Sequence, residues 1–436
     1  MVAGAQEPMV PVLNQLIPDT VLVSGLEERF VLSEHFDLEA VRDEAVRLTA
    51  GWTAIDGTEK TAEIDFLLFK DRTPITVTNF LGYVGRGDYT DMFVHRLVPG
   101  FVIQGGGFTV INDNSGSPAV GNVPTQPPIQ NEFGVSNTLG TISMAKFGGD
   151  PDSATSQWFI STGANSDNLD FQNEGFTVFG RVSRASFPAA LELDQLAEFS
   201  IFNLGGVFSS TPLVNGTTNP TFTAERFYRF QSVAEVPLPS GQAATNDTLT
   251  FDLEGDVNDE YLEVVVENGE LVLNALLSDV GGKKEVVIKA TDAVGNEVVD
   301  TFEVQVEVDY ETWRNLFFPA GDAANDAISG PSADPDGDGV TNLTLFGQGL
   351  PAGETVTVKA PTIVSAGNNI ILEIETPYRE GLGLVLEVSD GLGSWSEVTS
   401  TRSTDLNART KTESFRVSRS VANHPKSFFR IRYTLD

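Results

Sequence analysis

The 436-residue sequence contains no cysteine, which excludes disulfide bonds, thiol nucleophiles and thiolate metal ligands together. It has only three histidines, His35, His95 and His424, and this number argues against a multi-histidine metal centre. Basic residues are also scarce. The 27 lysines and arginines stand against 61 acidic residues, and the resulting net charge of -34 argues against nucleic acid or an anionic membrane as the partner. No apolar run reaches the length of a membrane span, and no apolar signal-peptide region precedes Ala3-Gly4-Ala5.

What the chain does contain is typical of a folded protein. Hydrophobic residues make up 40% of it, a share that argues against wholesale disorder. Its length suffices for roughly two to four domains with real cores. The acidic excess suits an extracellular protein, a saline milieu or calcium binding.

Changes in composition and pattern divide the chain into mainly β segments. The predicted boundaries are a linker at 1–18, strands at 19–37, a β-rich unit with two helices at 38–235 (core 61–200), a β-sandwich at 236–309, a short helix with an Asp-rich loop at 310–351, and a β-sandwich domain at 352–436. The 236–309 segment resembles a cadherin-like or immunoglobulin-like sandwich but has fewer than the roughly seven strands usually needed. We therefore expect the strands within 19–37 to complete it, with the 38–235 unit inserted between.

The segment Phe93–Gly107 places one cation, Arg96, among apolar neighbours. Strand alternation predicts that one face carries Val94, Arg96 and Val98 and the other carries Phe93, His95 and Leu97. A guanidinium beside aromatic surface is costly unless it has a partner or a function. Taken alone, the segment therefore favours a strand whose arginine pairs with a nearby carboxylate.

Other motifs around this segment come in a fixed order. One helix face is predicted after the Asp71–Pro74 turn from the spacing of Val77, Phe80, Leu81 and Val84. Strands are predicted at Gly140–Ala145, Trp158–Ser161 and Thr177–Val182, and a second helix at Pro188–Phe199. These motifs lie between about residues 61 and 200, roughly a third of the chain.

In this order the motifs resemble those of the cyclophilins, the peptidyl-prolyl cis-trans isomerases. Phe93–Phe108 is similar to the family's His-Arg-x-x-Pro-Gly-Phe-x-x-Gln-Gly-Gly segment, and Gly140–Ala145 with Ser153–Thr162 to its Gly-x-x-Ser-Met-Ala and Ser-Gln-Phe-Phe-Ile strands. Leu169-Asp170 with Val178–Gly180 matches the closing element. The resemblance implies a closed β-barrel with two helices, and an isomerase that needs no cofactor for catalysis.

The resemblance also implies the role of each site residue. Arg96 would be the catalytic donor, with Gln104 anchoring the substrate backbone and helping to orient Arg96. The implied proline pocket consists of Phe101, Val102, Phe159 and Leu169. The backbone of Ala145 and Lys146 would pair with the residue before proline, and Gln157 would border the pocket.

Three positions depart from the family pattern. Asn168 stands where a tryptophan is common, Phe176 where a histidine lies in the pocket, and Lys146 where an asparagine follows Met-Ala. We include all three among the substrate-binding residues and interpret them as altered selectivity rather than lost activity.

A second candidate site lies at Asp334, Asp336 and Asp338, which recur at every second residue before Gly339. Alternate carboxylates, a glycine turn, the Val340 carbonyl and Asn342 match the start of a calcium loop. Leu345 occupies the twelfth position, where a bidentate acid is expected, so the loop is incomplete. We interpret it as a weak structural calcium site rather than a plain acidic turn.

The leading prediction is a peptidyl-prolyl cis-trans isomerase acting on X-Pro bonds of exported or surface proteins, with Arg96 stabilising the twisted amide without a covalent step. The alternative is a non-catalytic cyclophilin-like module that binds proline-containing peptides in an extracellular adhesive or scaffold protein. The Asp-rich segment and last domain resemble modules of secreted multidomain bacterial proteins. With the acidity and the lack of cysteine, they predict an extracellular, cell-surface or periplasmic location.

Overall fold

The computed structural model describes residues 8–111, 119–217, 223–246, 248–352, 357–366, 369–391, 393–418 and 427–435. The chain folds into two compact units. The first comprises Met1–Leu16, Leu32–Asp252 and Ile288–Asp300, and the second comprises Ile17–Val31, Leu253–Val287 and Thr301–Asp436.

The strands up to residue 237 are, in chain order, Met9–Leu13 (β1), Thr20–Val23 (β2), Glu27–Val31 (β3), Phe36–Ala40 (β4), Glu44–Thr53 (β5), Glu59–Leu68 (β6), Met92–Phe93 (β7), Arg96–Val98 (β8), Val102–Gly105 (β9), Phe108–Ile111 (β10), Ala119–Asn122 (β11), Thr141–Met144 (β12), Trp158–Ser161 (β13), Val178–Val182 (β14), Phe199–Phe202 (β15), Thr211–Val214 (β16) and Arg229–Pro237 (β17).

The later strands are Leu249–Glu254 (β18), Leu262–Glu267 (β19), Glu270–Ala275 (β20), Gly282–Asp292 (β21), Glu297–Glu307 (β22), Thr362–Ala366 (β23), Asn369–Pro377 (β24), Leu382–Ser389 (β25), Ser396–Glu397 (β26), Thr401–Leu406 (β27), Thr410–Ser418 (β28) and Phe428–Leu435 (β29). The α-helices are Leu32–His35 (α1), Pro74–Arg86 (α2), Ser166–Leu169 (α3), Phe187–Asp194 (α4), Tyr310–Phe317 (α5), Ala320–Ala323 (α6), Asp326–Ser329 (α7) and Asn342–Gln348 (α8). In the part of the chain that the structure describes, no helix is long and apolar enough to cross a membrane.

Strands of the first unit close into a barrel. Its sheet contains the order β17-β5-β6-β14-β12-β13-β9-β8, and β7, just before β8, pairs with β17 through Phe93 and Arg229. The Val94 amide donates to the Tyr228 carbonyl (3.1 Å) and the His95 amide to the Gln104 carbonyl (3.2 Å). The 92–98 segment therefore joins both edges of the sheet, and the predicted closed β-barrel is confirmed.

The barrel is filled by apolar side chains from alternate strand positions. The fully buried Trp158 packs edge-on against Phe66, with ring centroids 5.1 Å apart. Helix α2 adds Phe80 to this core. It begins with Pro74 in its first turn and ends at Gly87, whose φ of 72° suits glycine at a helix C-terminus. The predicted first helix is therefore confirmed. The second, predicted at Pro188–Phe199, is α4, which ends earlier, at Asp194, and Phe199 begins strand β15.

One face assignment from the sequence is wrong. Val94 and Leu97 both lie in the barrel core, although alternation placed Val94 on the same face as Arg96. The reason is that β7 ends at Phe93 and β8 begins at Arg96, so the residues between them do not follow regular strand alternation.

The interpretation of residues 8–18 as linker is also wrong. Strand β1 lies within this range and pairs antiparallel with β4, from Met9 opposite Ala40 to Leu13 opposite Phe36. Val10 and Val12 are buried in an apolar cluster of the first unit. Their burial depends on partners far along the chain, which local composition does not reveal. Residues 1–7 lie outside the described part.

The second unit contains further β-sheets. Strand β2 pairs in parallel with β22, and β3 pairs antiparallel with β20, so both strands from the 19–37 segment hydrogen-bond to strands of the later sandwich. The remaining sheets have the orders β23-β24-β28-β27 and β26-β25-β29. The cadherin-like or immunoglobulin-like class of this sandwich stays a prediction.

The 310–351 segment is more helical than expected. One helix was predicted there, and the structure has four, α5 to α8, of which three have seven residues or fewer. Helices this short do not contain enough turns to show the periodic apolar pattern from which a helix is predicted. Asn325 caps the N-terminus of helix α7: its side-chain oxygen accepts a hydrogen bond from the Ala327 amide at 3.1 Å.

Candidate active site

Three side chains with predicted roles lie in one row across adjacent strands. Arg96 in β8 is directly opposite Gln104 in β9, and Gln104 is directly opposite Phe159 in β13. Their strand neighbours Leu97, Ile103 and Ile160 belong to the barrel core. Since successive strand residues point to opposite faces, the row lies on the outer face of the barrel.

Arg96 is partly buried at this face. Its guanidinium carbon lies 5.8 Å from the centre of the Phe101 ring, within the range of a cation–π contact. Burial lowers the pKa of Arg96, and within the described ranges no carboxylate pairs with its guanidinium. The pairing that the isolated segment favoured is therefore not found among these residues.

Gln104 is held by a second amide. Its Nε2 donates to Oε1 of Gln157 at 3.0 Å. Burial, with a smaller contribution from the Arg96 charge, lowers the pKa of His95 to about 4, so the imidazole is neutral at pH 7. His95 therefore does not act as an acid or base at this pH.

An apolar pocket adjoins the row. Its buried members are Val102, Phe159 and Leu169, with 2%, 5% and 6% exposure, and its partly buried members are Phe101, Ala145 and Phe176. The Phe159 and Phe176 rings meet edge to face, with centroids 5.7 Å apart. The structure thus brings together the four residues predicted for the pocket, and it places Ala145 and Phe176, which were also predicted to bind substrate, beside them.

The wall with Leu169 and Phe176 is organised by Asn137, a residue that the sequence did not single out. Asn137 is fully buried, and its side-chain amide donates to the Asp170 carboxylate (2.8 Å) and to the Phe176 carbonyl (3.0 Å). Its Oδ1 accepts from the Ser143 hydroxyl at 2.7 Å. No short motif marks Asn137, because its partners lie up to 39 residues away.

The turn that presents Phe101 is anchored in the same manner. The Asn165 side chain donates to the Phe101 carbonyl at 2.7 Å, and the Thr162 amide donates to the same oxygen at 2.9 Å. Asp194 accepts from the Gly100 amide at 3.0 Å and from the Thr162 hydroxyl at 2.7 Å. These contacts fix the ring beside Arg96, and sequence reasoning missed both Asn165 and Asp194.

Ala145 and Lys146 lie beside the pocket and form different hydrogen bonds. The Ala145 amide donates to the Gln157 carbonyl at 2.9 Å, so this N–H is already used within the barrel. Of the polar backbone groups predicted to hold substrate, the Ala145 carbonyl and the Lys146 amide remain the candidates. The Lys146 side chain bonds to carbonyls of the 172–176 loop.

Asn168 does not join the site. Its side chain is exposed and pairs with Gln172, and the residue is not part of the buried pocket cluster formed by its neighbour Leu169. The prediction that Asn168 contacts substrate therefore has no support in the described contacts.

The predicted metal ligands lie in the second unit. Carboxylate oxygens of Asp334, Asp336 and Asp338 come within 4.8 Å of one another. Asn342 is fully buried, and its Oδ1 has no hydrogen-bond partner in the described part of the chain. Leu345 is 4% exposed and belongs to an apolar cluster around Trp313, so the twelfth position is occupied by a core residue.

The barrel site can bind a peptide and polarise a bond of that peptide beside the pocket. It combines an apolar pocket for a ring, amide groups for a peptide backbone and a cation without a carboxylate partner in the described ranges. This set suits a reaction in which no covalent bond breaks and a hydrogen-bond acceptor develops beside the pocket.

The sequence matches the family model described as cyclophilin type peptidyl-prolyl cis-trans isomerase/CLD over residues 55–198. It is 36% identical over 151 residues to peptidyl-prolyl cis-trans isomerase A of Dickeya dadantii, an alignment that covers 34% of this chain and 73% of that protein. It is 40% identical over 121 residues to peptidyl-prolyl cis-trans isomerase B of Escherichia coli, covering 26% of this chain and 68% of that protein.

Two solved structures show weaker similarity. A cyclophilin type peptidyl-prolyl cis-trans isomerase of Cryptosporidium parvum is 18% identical, with a TM-score of 0.27 over 44% of this chain and 99% of that one. A cyclophilin of Hirschia baltica is 14% identical, with a TM-score of 0.25 over 60% of this chain and 92% of that one. With TM-scores below 0.5, these two similarities support no inference about this chain.

Proposed function

The chain belongs to the cyclophilin-type peptidyl-prolyl cis-trans isomerases, and on this premise we propose that its Arg96 catalyses rotation of X-Pro bonds by stabilising the twisted amide. A conjugated amide opposes rotation with a barrier of about 18–20 kcal/mol, so uncatalysed exchange takes tens to hundreds of seconds. As conjugation is lost, the proline nitrogen becomes pyramidal and accepts a hydrogen bond. A guanidinium directed at that nitrogen stabilises the transition state more than the ground state.

One observation carries this proposal. Arg96 is partly buried beside the pocket, and the described ranges hold no carboxylate that pairs with it. A desolvated cation without a partner costs free energy in the resting protein, and the cost falls when an acceptor develops next to it. Phe101, in cation–π contact with Arg96, and Phe159 supply the apolar surface that excludes water.

Gln104 has a supporting role in this proposal. Because its Nε2 donates to Gln157, the amide oxygen is the group available to accept from Arg96 or from a substrate N–H. The same hydrogen bond to Gln157 fixes the direction of the Gln104 amide. The partner is a proline-containing peptide or protein, and catalysis needs no metal or cofactor.

A protease-coupled assay with a proline-containing peptide tests the catalytic role. We expect Arg96→Ala to lower kcat/KM by about 100-fold or more, the magnitude seen when one fixed transition-state donor is removed. Arg96→Lys should restore little of the rate, because a lysine lacks the planar fork of donors. Equal rates in wild type and Arg96→Ala would reject catalysis by Arg96. Rates in both proteins that equal the uncatalysed rate would leave the non-catalytic binding module as the better description.

We also propose that the Asp334 loop binds calcium. Support comes from the three convergent carboxylates and from the buried, unpartnered Oδ1 of Asn342 at the ninth position. The Val340 carbonyl would add a ligand at the seventh position, and the buried Leu345 makes the affinity weak. Millimolar calcium should raise the melting temperature relative to chelator in wild type and in an Asp256→Asn control, but not in Asp336→Asn. An unchanged melting temperature in wild type would reject the site.

We propose further that the clients are exported or surface proteins. The net charge of -34 and the absence of cysteine support a chain that works outside the cytoplasm. Fractionation of the source cells with immunodetection should place the protein in the periplasm, on the surface or in the medium. Recovery in the cytosolic fraction alone would reject this proposal.

A further inference from the structure

The side chain of Lys146 contacts the loop that leads into Phe176, a residue that lines the proline pocket. Its Nζ donates to the Asn173 carbonyl at 2.8 Å and to the Gly175 carbonyl at 2.6 Å. The same Nζ lies 5.0 Å from the centre of the Phe176 ring. One ammonium thus bonds two carbonyls of a short loop and the aromatic residue that follows them.

The loop that Lys146 contacts has an unfavourable backbone. Asn173 and Glu174 have φ angles of 52° and 60°, a left-handed conformation that costs free energy in residues other than glycine. Such a turn persists only when its surroundings fix it. Asn131 contributes by donating to the Glu174 carbonyl at 2.9 Å, and the Asn173 side chain donates to the Phe147 carbonyl at 2.9 Å.

This loop leads directly into Phe176, which forms one wall of the pocket. The Phe176 amide donates to the Leu169 carbonyl at 3.0 Å, and the Phe176 ring meets the ring of Phe159 edge to face. Both Phe159 and Leu169 are buried members of the pocket. A change in the position of the Asn173–Gly175 carbonyls would therefore act on this aromatic wall, which adjoins Phe159 at one end of the row, whereas Arg96 lies at the other end.

The surroundings of Lys146 fit a structural cation. Burial lowers the pKa of Lys146, and Glu174 and Asp152 act against this shift. The donated hydrogen bonds go to carbonyl oxygens, which a lysine or an arginine can both satisfy and an apolar side chain cannot.

We propose that Lys146 is a positioning residue that holds the 173–176 loop against the proline pocket and thereby sets substrate affinity. The inference rests on the proposed function, because it assigns Phe176 to the substrate pocket. Lys146 does not touch the rotating bond, so its removal should weaken binding of substrate and leave the rate of the bound substrate nearly unchanged.

The experiment compares Lys146→Met, which keeps the length and removes the donors, with Lys146→Arg, which keeps a cation and donors. Lys60→Met is the matched control, because Lys60 is a half-exposed lysine of the same barrel that pairs with Glu198 at 3.0 Å. For each protein kcat and KM are measured with an Ala-Pro-containing tetrapeptide, and its Kd is measured by NMR titration. Hydrogen exchange is followed at the Gly175 and Phe176 amides, which donate to the Gln172 and Leu169 carbonyls.

We expect Lys146→Met to raise KM and Kd at least fivefold, change kcat by less than twofold and speed exchange at both amides about tenfold. Lys146→Arg and Lys60→Met should stay within twofold of wild type. The inference is overturned if Lys146→Met leaves KM and Kd unchanged, if kcat falls with KM unchanged, or if Lys146→Arg is no better than Lys146→Met. If Lys146→Met does not fold, Lys146→Gln against Lys146→Arg gives the same comparison. If wild type shows no turnover, the proposed function fails, but Kd and exchange still decide the role of Lys146.

Discussion

Asn137 offers a severe test of how the pocket is built, because one buried amide holds three groups. Replacing it with alanine removes the hydrogen bonds to the Asp170 carboxylate, the Phe176 carbonyl and the Ser143 hydroxyl. A neutral hydrogen bond contributes about 1 kcal/mol and one to a charged group about 2 kcal/mol, so the loss should be about 4 kcal/mol of unfolding free energy. Burial already raises the pKa of Asp170, so a carboxylate with fewer donors is a further cost.

The measurement is denaturant unfolding of wild type and Asn137→Ala, followed for the barrel transition, together with kcat/KM. We expect a lower midpoint with an unchanged slope and at least a fivefold fall in kcat/KM, because Leu169 and Phe176 lose their common support. Asn203→Ala is the control, since exposed Asn203 accepts one hydrogen bond, from the Gly205 amide, and should cost less than about 1 kcal/mol. A cost below about 1 kcal/mol in Asn137→Ala, with unchanged kcat/KM, would refute the reasoning.

Two further predictions follow from the same site. The His95 pKa of about 4 in the folded protein lies below the ordinary 6.5, so between these pH values the unfolded state binds more protons than the folded state. The contribution of neutral, buried His95 to the free energy of unfolding is therefore complete above about pH 6.5 and is lost as the pH falls towards 4. His95→Gln should therefore reduce the difference in unfolding free energy between pH 5 and pH 7, and an undiminished difference would contradict the burial argument. Asn168→Ala should keep kcat/KM within twofold of wild type, because the side chain is exposed and pairs with Gln172, and a tenfold loss in the peptide assay would restore Asn168 to the site.

Local sequence patterns predicted the parts of the site that are contiguous. Arg96 and Gln104 lie on paired strands joined by one tight turn, so a single segment contains their spacing and their common face. The apolar residues Phe159 and Leu169 were found because their motifs match a family. Alternation failed at Val94, where an interruption between β7 and β8 changes which side chains face the core.

Contacts between distant segments could not be predicted in this way. Asn137 has polar partners in β12 and in the 170–176 region, and nothing in its immediate neighbours indicates them. Lys146 was recognised as unusual, but its bonds to the 173 and 175 carbonyls depend on a left-handed turn that the sequence of the loop does not reveal. Strand β1 was missed for the same reason, since its burial depends on pairing with β4.

The most direct test of the central claim is the comparison of rate and affinity in Arg96→Ala. If Arg96 stabilises the twisted amide, the bound rate of isomerisation, measured by NMR exchange at saturating peptide, should fall by about 100-fold or more while the Kd changes by less than threefold. A Kd that rises as much as kcat/KM falls, with the bound rate unchanged, would show that Arg96 only binds the peptide and would contradict the account.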